Sequence, residues 1–162
     1  MSKGQAILLD FVFAAFIFSI VFAAIMLSLR NIQDNLDYEE KVWRIQHAAI
    51  PAVDILVKSG GVPVDWELNP AQARIPALAG TGYGLSPVKV AALNNLDYEF
   101  VKQSLGLDGF EYKLVVQTID GETVVSKGMR EQGDFVVGTT RLAFYRGRIA
   151  RVRLTVWEEE NE

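Results

Sequence analysis

The sequence predicts an α+β fold: a long N-terminal helix, two short helices, and a four-stranded antiparallel β-meander packed on the long helix. Three observations carry this. Residues 6–29 form an almost uninterrupted apolar run, residues 30–58 continue with helical apolar spacing, and from residue 110 apolar side chains alternate with period two.

Within 6–29 the only polar residues are Asp10, Ser19 and Ser28, and there is no Gly or Pro to bend the helix. At ~1.5 Å rise per residue the run reaches ~36 Å, enough to cross a hydrocarbon core of ~30 Å. A cleaved secretory signal has an apolar core of only ~7 to 15 residues followed by a small-residue cleavage site, whereas this run is longer and ends in MLSLR. A core helix of a soluble protein keeps a polar face, and this one has none. Residues 6–29 are therefore expected to span a membrane. Lys3 on the short flank places the N-terminus in the cytoplasm and the remaining chain outside, a bias that Arg30 on the far flank weakens.

Asp10 is the one acid in the run. A carboxylate at the bilayer centre costs ~2.5 to 3.5 kcal/mol on insertion scales, so such a residue is by default a functional one with a partner. It also lies only about 6 Å inside the run, close enough to the interface to stay partly hydrated.

The start MSKGQ, followed by an acid shortly inside a long apolar helix, resembles the class III signal peptide of archaeal type IV pilin-like proteins. The resemblance implies that a prepilin peptidase cuts between Gly4 and Gln5, making Lys3, Gly4 and Gln5 the processing site and residues 1–5 a cytoplasmic segment. The helix is then retained as membrane anchor and filament core. The resemblance also implies that Asp10 pairs with the terminal amine of a neighbouring subunit, so that neither charge is buried alone. Family members typically carry Glu as the fifth residue after the cut, whereas a cut after Gly4 makes Asp10 the sixth. Either the cut falls after Gln5, or the shifted, shorter acid marks a minor, pilin-like subunit.

With about thirty of 162 residues in the membrane, 30–162 is sized for one modest extracytoplasmic domain. A formal net charge of -4 gives no reason to expect nucleic acid. The chain has no cysteine, which excludes disulfides, thiol catalysis and cysteine metal sites.

From 30 to 58 the helix is expected to continue with an apolar stripe of Ile32, Leu36, Trp43, Ile45, Ala49, Val53 and Leu56, bending before Pro51 and ending at Gly60-Gly61. Residues 61–85, dense in Pro and Gly, read as a loop pinned by Trp66, Leu68, Ile75 and Leu78. Its GTGYG lacks the following Lys-Ser/Thr and the spacing of a nucleotide site. Over 87–105 two helices are expected, the first with Ser86 as N-cap and Pro87 in its first turn, the second capped by Asp97 and closed by Gly106. The blocks SGGVPVDWE and LSPVKVAALNNLDYEFVKQSLGL resemble a segment of the same pilin-like proteins.

The β-sheet is expected over 110–157. Asp120-Gly121 suits a two-residue type I′ hairpin into 122–127, and strands at 135–145 and 148–157 flank Arg146-Gly147. In the last strand Ala150, Val152, Leu154 and Val156 share one face, with Arg151, Arg153, Thr155 and Trp157 on the other. The acidic residues 158–162 end the chain as a solvated tail.

Catalytic, metal and cofactor chemistry find no support in the sequence. The one histidine, His47, has no neighbouring ligand type, so it reads as a packed or hydrated side chain. Asp65 and Glu67 flank Trp66, and the three are candidates for surface recognition of a cation or a sugar; the plainer reading is a tryptophan anchoring a loop between two solvated acids. Arg141, Arg146, Arg148, Arg151 and Arg153 cluster on the last hairpin, either facing acids of a neighbouring subunit or forming a solvated face.

The functional expectation that follows from the resemblance is a minor pilin-like structural subunit of a surface filament, acting in assembly and adhesion and not in catalysis. Its partners would be the membrane, other pilin subunits, the prepilin peptidase and the pilus assembly machinery. The alternative is an exported domain held by its anchor that never polymerises, a stator-like or sensory part of an envelope machine.

Overall fold

The computed structural model describes residues 3–80, 84–131 and 135–158, with the side chains of 3–10, 31–35 and 37 outside that description. The chain divides into two units, Met1–Lys41 and Val42–Glu162.

The described part of the first unit is helix, the N-terminal portion of α1 (Lys3–Lys58). Phe11–Arg30 is long and apolar enough to cross a membrane, and none of it is buried within the chain. Its rings and aliphatic groups all face outward, as with Phe11 at 72% and Leu27 at 65% exposure. Ser19 Oγ donates to Ala15 O at 2.8 Å, so the hydroxyl in this greasy segment is satisfied within the helix.

The second unit begins in the last turns of α1. Ile45, Ala49, Ala52, Val53 and Leu56 are fully buried, recurring at steps of three and four. Trp43 and Leu36 were expected in this stripe and are instead exposed, at 61% and 59%. The reason is geometric: Trp43 is two residues from Ile45, and two residues on an α-helix point to nearly opposite sides. Pro51 lies within the helix without interrupting it.

Residues 61–85 are pinned down as expected by Trp66 and Leu78, both fully buried, whereas Leu68, also expected as an anchor, is 79% exposed. Two short 3-10 turns, Trp66–Leu68 and Pro70–Gln72, and isolated bridges Val62 to Ile75 and Ala79 to Leu85 tie the segment down before strand β1 (Gly84–Leu85). Thr81, Gly82 and Tyr83, which belong to GTGYG, lie outside the described residues. Helix α2 (Pro87–Asn95) starts on Ser86, whose Oγ accepts from Lys89 N, and α3 (Tyr98–Ser104) starts on Asp97, which accepts from Phe100 N at 3.0 Å.

The sheet is mixed and five-stranded, in the order β1, β4, β5, β2, β3, where β2 is Phe110–Thr118, β3 Thr123–Gly128, β4 Val136–Tyr145 and β5 Arg148–Glu158. Strand β1 joins β4 in parallel, and all other neighbours are antiparallel. This corrects the expected four-stranded meander twice: β1 adds a parallel strand, and the last strand sits between β4 and β2 and not at an edge. The cause lies in β5 itself. It pairs along its length with both β4 and β2, and over Leu154, Thr155, Val156 and Trp157 it is also buried on both faces, as suits a strand inside the sheet.

Turn chemistry is corrected as well. The connection from β2 to β3 is four residues, 119–122, and Asp120 does not have the positive φ that a type I′ turn requires at its first central position. The two-residue turn with positive φ at both central positions is Arg146-Gly147, φ 49° and 78°, closing β4 onto β5.

One core results. Buried residues of α1 meet Tyr112, Leu114 and Val116 of β2 and Ala150, Val152, Leu154 and Val156 of β5, with Val90, Leu93 and Val101 of α2 and α3 at its margin. Ion pairs rim the helix: Arg141 Nε lies 2.7 Å from Asp54 Oδ1, Lys58 Nζ lies 2.8 Å from Asp54 Oδ2, and Arg44 pairs with Glu158. Hydrogen bonds from Lys58 and then Arg141 hold the Asp54 carboxyl below its ordinary value of 3.8. A carboxyl lowered on folding adds stability above its unfolded pKa and loses it as pH falls through the folded one. Asp54→Asn is therefore expected to lower thermal stability between pH 6 and 8, where the carboxylate contributes, and to reduce the further loss below about pH 4, as read by melts across that range.

Candidate functional site

Lys3, Gly4, Gln5 and Asp10 all fall in the backbone of α1, and their side chains lie outside the described residues. What is described of the candidate membrane site is therefore the apolar cylinder of 11–30.

The Trp66 segment is built as an anchor. Gly61, at φ 88°, lets the chain leave α1 in the left-handed region and leaves room for the indole; a Cβ there would stand 2.4 Å from Trp66 Cδ1. The ring is fully buried and its Nε1 donates to Ala77 O at 2.9 Å. Trp66 thus has no surface to offer a ligand, which corrects its place among surface-recognition candidates. Glu67 is turned inward, its Oε2 3.9 Å from the buried Lys89 ammonium, and only Asp65 of the three is exposed.

Lys89 is the residue that sequence reasoning missed. From the first turn of α2 its Nζ donates to Gly60 O and Val64 O at 2.6 Å and to Ala79 O at 3.3 Å. One ammonium gathers three carbonyls from the segment between α1 and α2, and the nearby Glu67 offsets its charge. The signal was present in SPVKVAAL, since Lys89 lies four residues before buried Leu93 and hence on the same helix face.

A second buried group joins α3 to β2. Tyr98 Oη donates to Glu111 Oε2 and accepts from Tyr112 N, while Lys102 Nζ meets Glu111 Oε1 at 2.5 Å. The Tyr98 and Tyr112 rings stack with centroids 4.7 Å apart. Burial raises both phenols above the ordinary tyrosine value, and for Tyr98 the bond to Glu111 adds to it. The Tyr98 phenol, kept protonated, serves as a fixed hydrogen-bond donor to Glu111, whereas the buried Tyr112 hydroxyl has no hydrogen-bond partner among the described residues.

The arginines do not form one patch. Arg141 faces α1 and Asp54; Arg148 lies 3.5 Å from Asp120 and 3.8 Å from Glu122; Arg146 stands over the Tyr145 ring. Arg151 and Arg153 are on the outer sheet face, in a shallow cavity of about 410 Å³ with Gln117, Thr140 and Glu131. His47 stacks on Trp43 one turn away, with centroids 3.9 Å apart. Among the described residues no three His, Asp or Glu side chains converge as a metal ion would need.

Lys89→Met is expected to destabilise the domain by about 3 kcal/mol, because three carbonyls and Glu67 lose their partner together, as read by urea denaturation of the full chain in detergent. No protein-family model matches this chain, and no curated protein or solved structure is significantly similar to it.

Proposed function

We propose that the chain is a structural subunit of an archaeal type IV pilus-like filament, a minor pilin anchored in the membrane by α1, processed by a prepilin peptidase and acting in assembly and adhesion. The observation that supports it is the outward-facing apolar surface of Phe11–Arg30, of which none is buried within the chain. Full burial of a single Leu, Ile or Phe is worth about 1.5 to 3 kcal/mol, so a helix with this many exposed ones needs lipid or neighbouring helices around it. The KGQ start before such a helix supplies the direction: a peptidase that cuts ahead of the helix leaves it available first to the membrane and then to other subunits.

In this reading the carboxylate of Asp10 meets the new terminal amine of a neighbour, each charge removing the cost of burying the other. The domain from Val42 onward contributes shape and surface. The buried clusters around Lys89 and Glu111 keep it rigid without disulfides.

Intact-mass measurement of the chain expressed with and without the peptidase tests the assignment. Loss of residues 1–4 or 1–5 is expected; an uncut chain that stays in the membrane fraction points instead to the non-polymerising, anchored domain. Asp10→Ala is expected to lower incorporation into filaments by at least about tenfold, since an unpaired terminal amine would be left in an apolar setting, while membrane insertion is retained. Normal incorporation of that variant removes the pairing role.

A further inference from the structure

The two edges of the sheet are treated differently. Strand β3, at one edge, is six residues long, its register against β2 shifts between Val116 and Gln117, and its Lys127 Nζ reaches the α2 end at Leu96 O, 2.6 Å away. Short length, an irregular register and a lysine are the usual means of stopping an edge from pairing with another chain.

At the other edge β4 has none of these. It pairs with β5 without a break from Val136 to Tyr145, and contains no Pro and no Lys. Strand β1 covers it only at Phe144 and Tyr145, so among the described residues the side of 136–143 facing away from β5 has no backbone partner. A Cβ built on Gly138 would meet nothing within 4 Å, so nothing covers the outer sheet face there. Its single charge, Arg141, is drawn to Asp54 on the core face.

We infer that this free edge pairs antiparallel with the same edge of a second copy of the chain, about a two-fold axis at Thr139. The register follows from what is exposed and what is occupied. Two-fold antiparallel pairing keeps both outer faces on one side, so the axis must pass through a residue. An axis at Arg141 would set that arginine against itself. An axis at Thr140 would bring Val136 of the copy opposite Phe144, where Gly84 already sits. The axis at Thr139 confines pairing to 136–142 and places Val136, 42% exposed, opposite the copy's Leu142, 66% exposed, twice over. The two most exposed apolar side chains of the free edge cover each other, and Gly138 lies opposite Thr140. Seven pairs make an edge of about 24 Å, short for a stable soluble dimer, so the pairing is transient in dilute solution and is best read by trapping.

The chain has no cysteine, which makes the trap clean. Residues opposite at the axis have Cα atoms about 4.5 to 5.5 Å apart, inside the range a disulfide needs. In the full chain in detergent, Thr139→Cys is expected to form a disulfide homodimer at least ~10-fold faster than Ser126→Cys on the β3 edge, and adding Leu142→Lys to Thr139→Cys is expected to slow it ~10-fold by setting a charge against Val136. Equal rates for the two cysteines, no effect of Leu142→Lys, or capture by Thr139→Cys of a different protein from the membrane in place of a second copy would each overturn the inference.

Discussion

The second unit depends on one contact, the burial of the Ile45, Ala49, Val53 and Leu56 face of α1 against the middle strands β5 and β2. These are small and branched apolar groups on a helix meeting Ala150, Val152, Leu154 and Val156 on a strand, close enough for interior packing and with no polar atom to satisfy. Everything else arranges itself around that layer. Asp54 sits at its border with a cation on either side, Lys58 from the helix and Arg141 from β4, so that the sheet is held in register with the helix by direction as well as by area. Such part-exposed pairs are screened by solvent, and the apolar layer is the larger effect.

A domain without disulfides has to close its irregular segments by other means. Residues 61–85 do so with one large ring and one ammonium: Trp66 fills the space left by Gly61, and Lys89 draws in the carbonyls of Gly60, Val64 and Ala79. Between α3 and β2 the Tyr98, Glu111 and Lys102 group does the same. In each group the buried ammonium has its partners, although Glu67 Oε2 and the Tyr112 hydroxyl are left without a hydrogen bond, so both act as fixtures in which a group that moved would leave another unsatisfied.

Local physics was legible in the sequence, and long-range pairing was not. The caps at Ser86 and Asp97 and the alternation of β5 could be read directly, because each depends on residues within a few positions. The position of β5 in the sheet could not: period two says which residues share a face, and only the double-sided burial of 154–157, a tertiary fact, places the strand centrally. The turns failed for a related reason. Asp-Gly was the better I′ signal by composition, yet strand registers around β5 put the tight turn at Arg146-Gly147 and left four residues for the other connection. For Trp66 the plainer sequence reading, a ring anchoring its loop, is the one its full burial bears out, and the room that Gly61 leaves for it is what the sequence did not show. Asp10 was legible as an anomaly of charge, and the pairing proposed for it would need a second chain.

Two surfaces of this chain are built for company, and they differ in kind. The span 11–30 presents apolar area without direction, which lipid or any greasy helix can cover. The β4 edge presents backbone donors and acceptors at a fixed spacing, which only another strand can satisfy, and its side chains at Val136 and Leu142 restrict which strand and in what register. A non-directional surface can bring chains together in a membrane or a bundle but cannot by itself set their rotation. A strand edge can, because a one-residue slip exchanges its faces. In an assembly of the kind proposed, the β4 edge would add a direction and a register of its own to whatever holds the helices side by side.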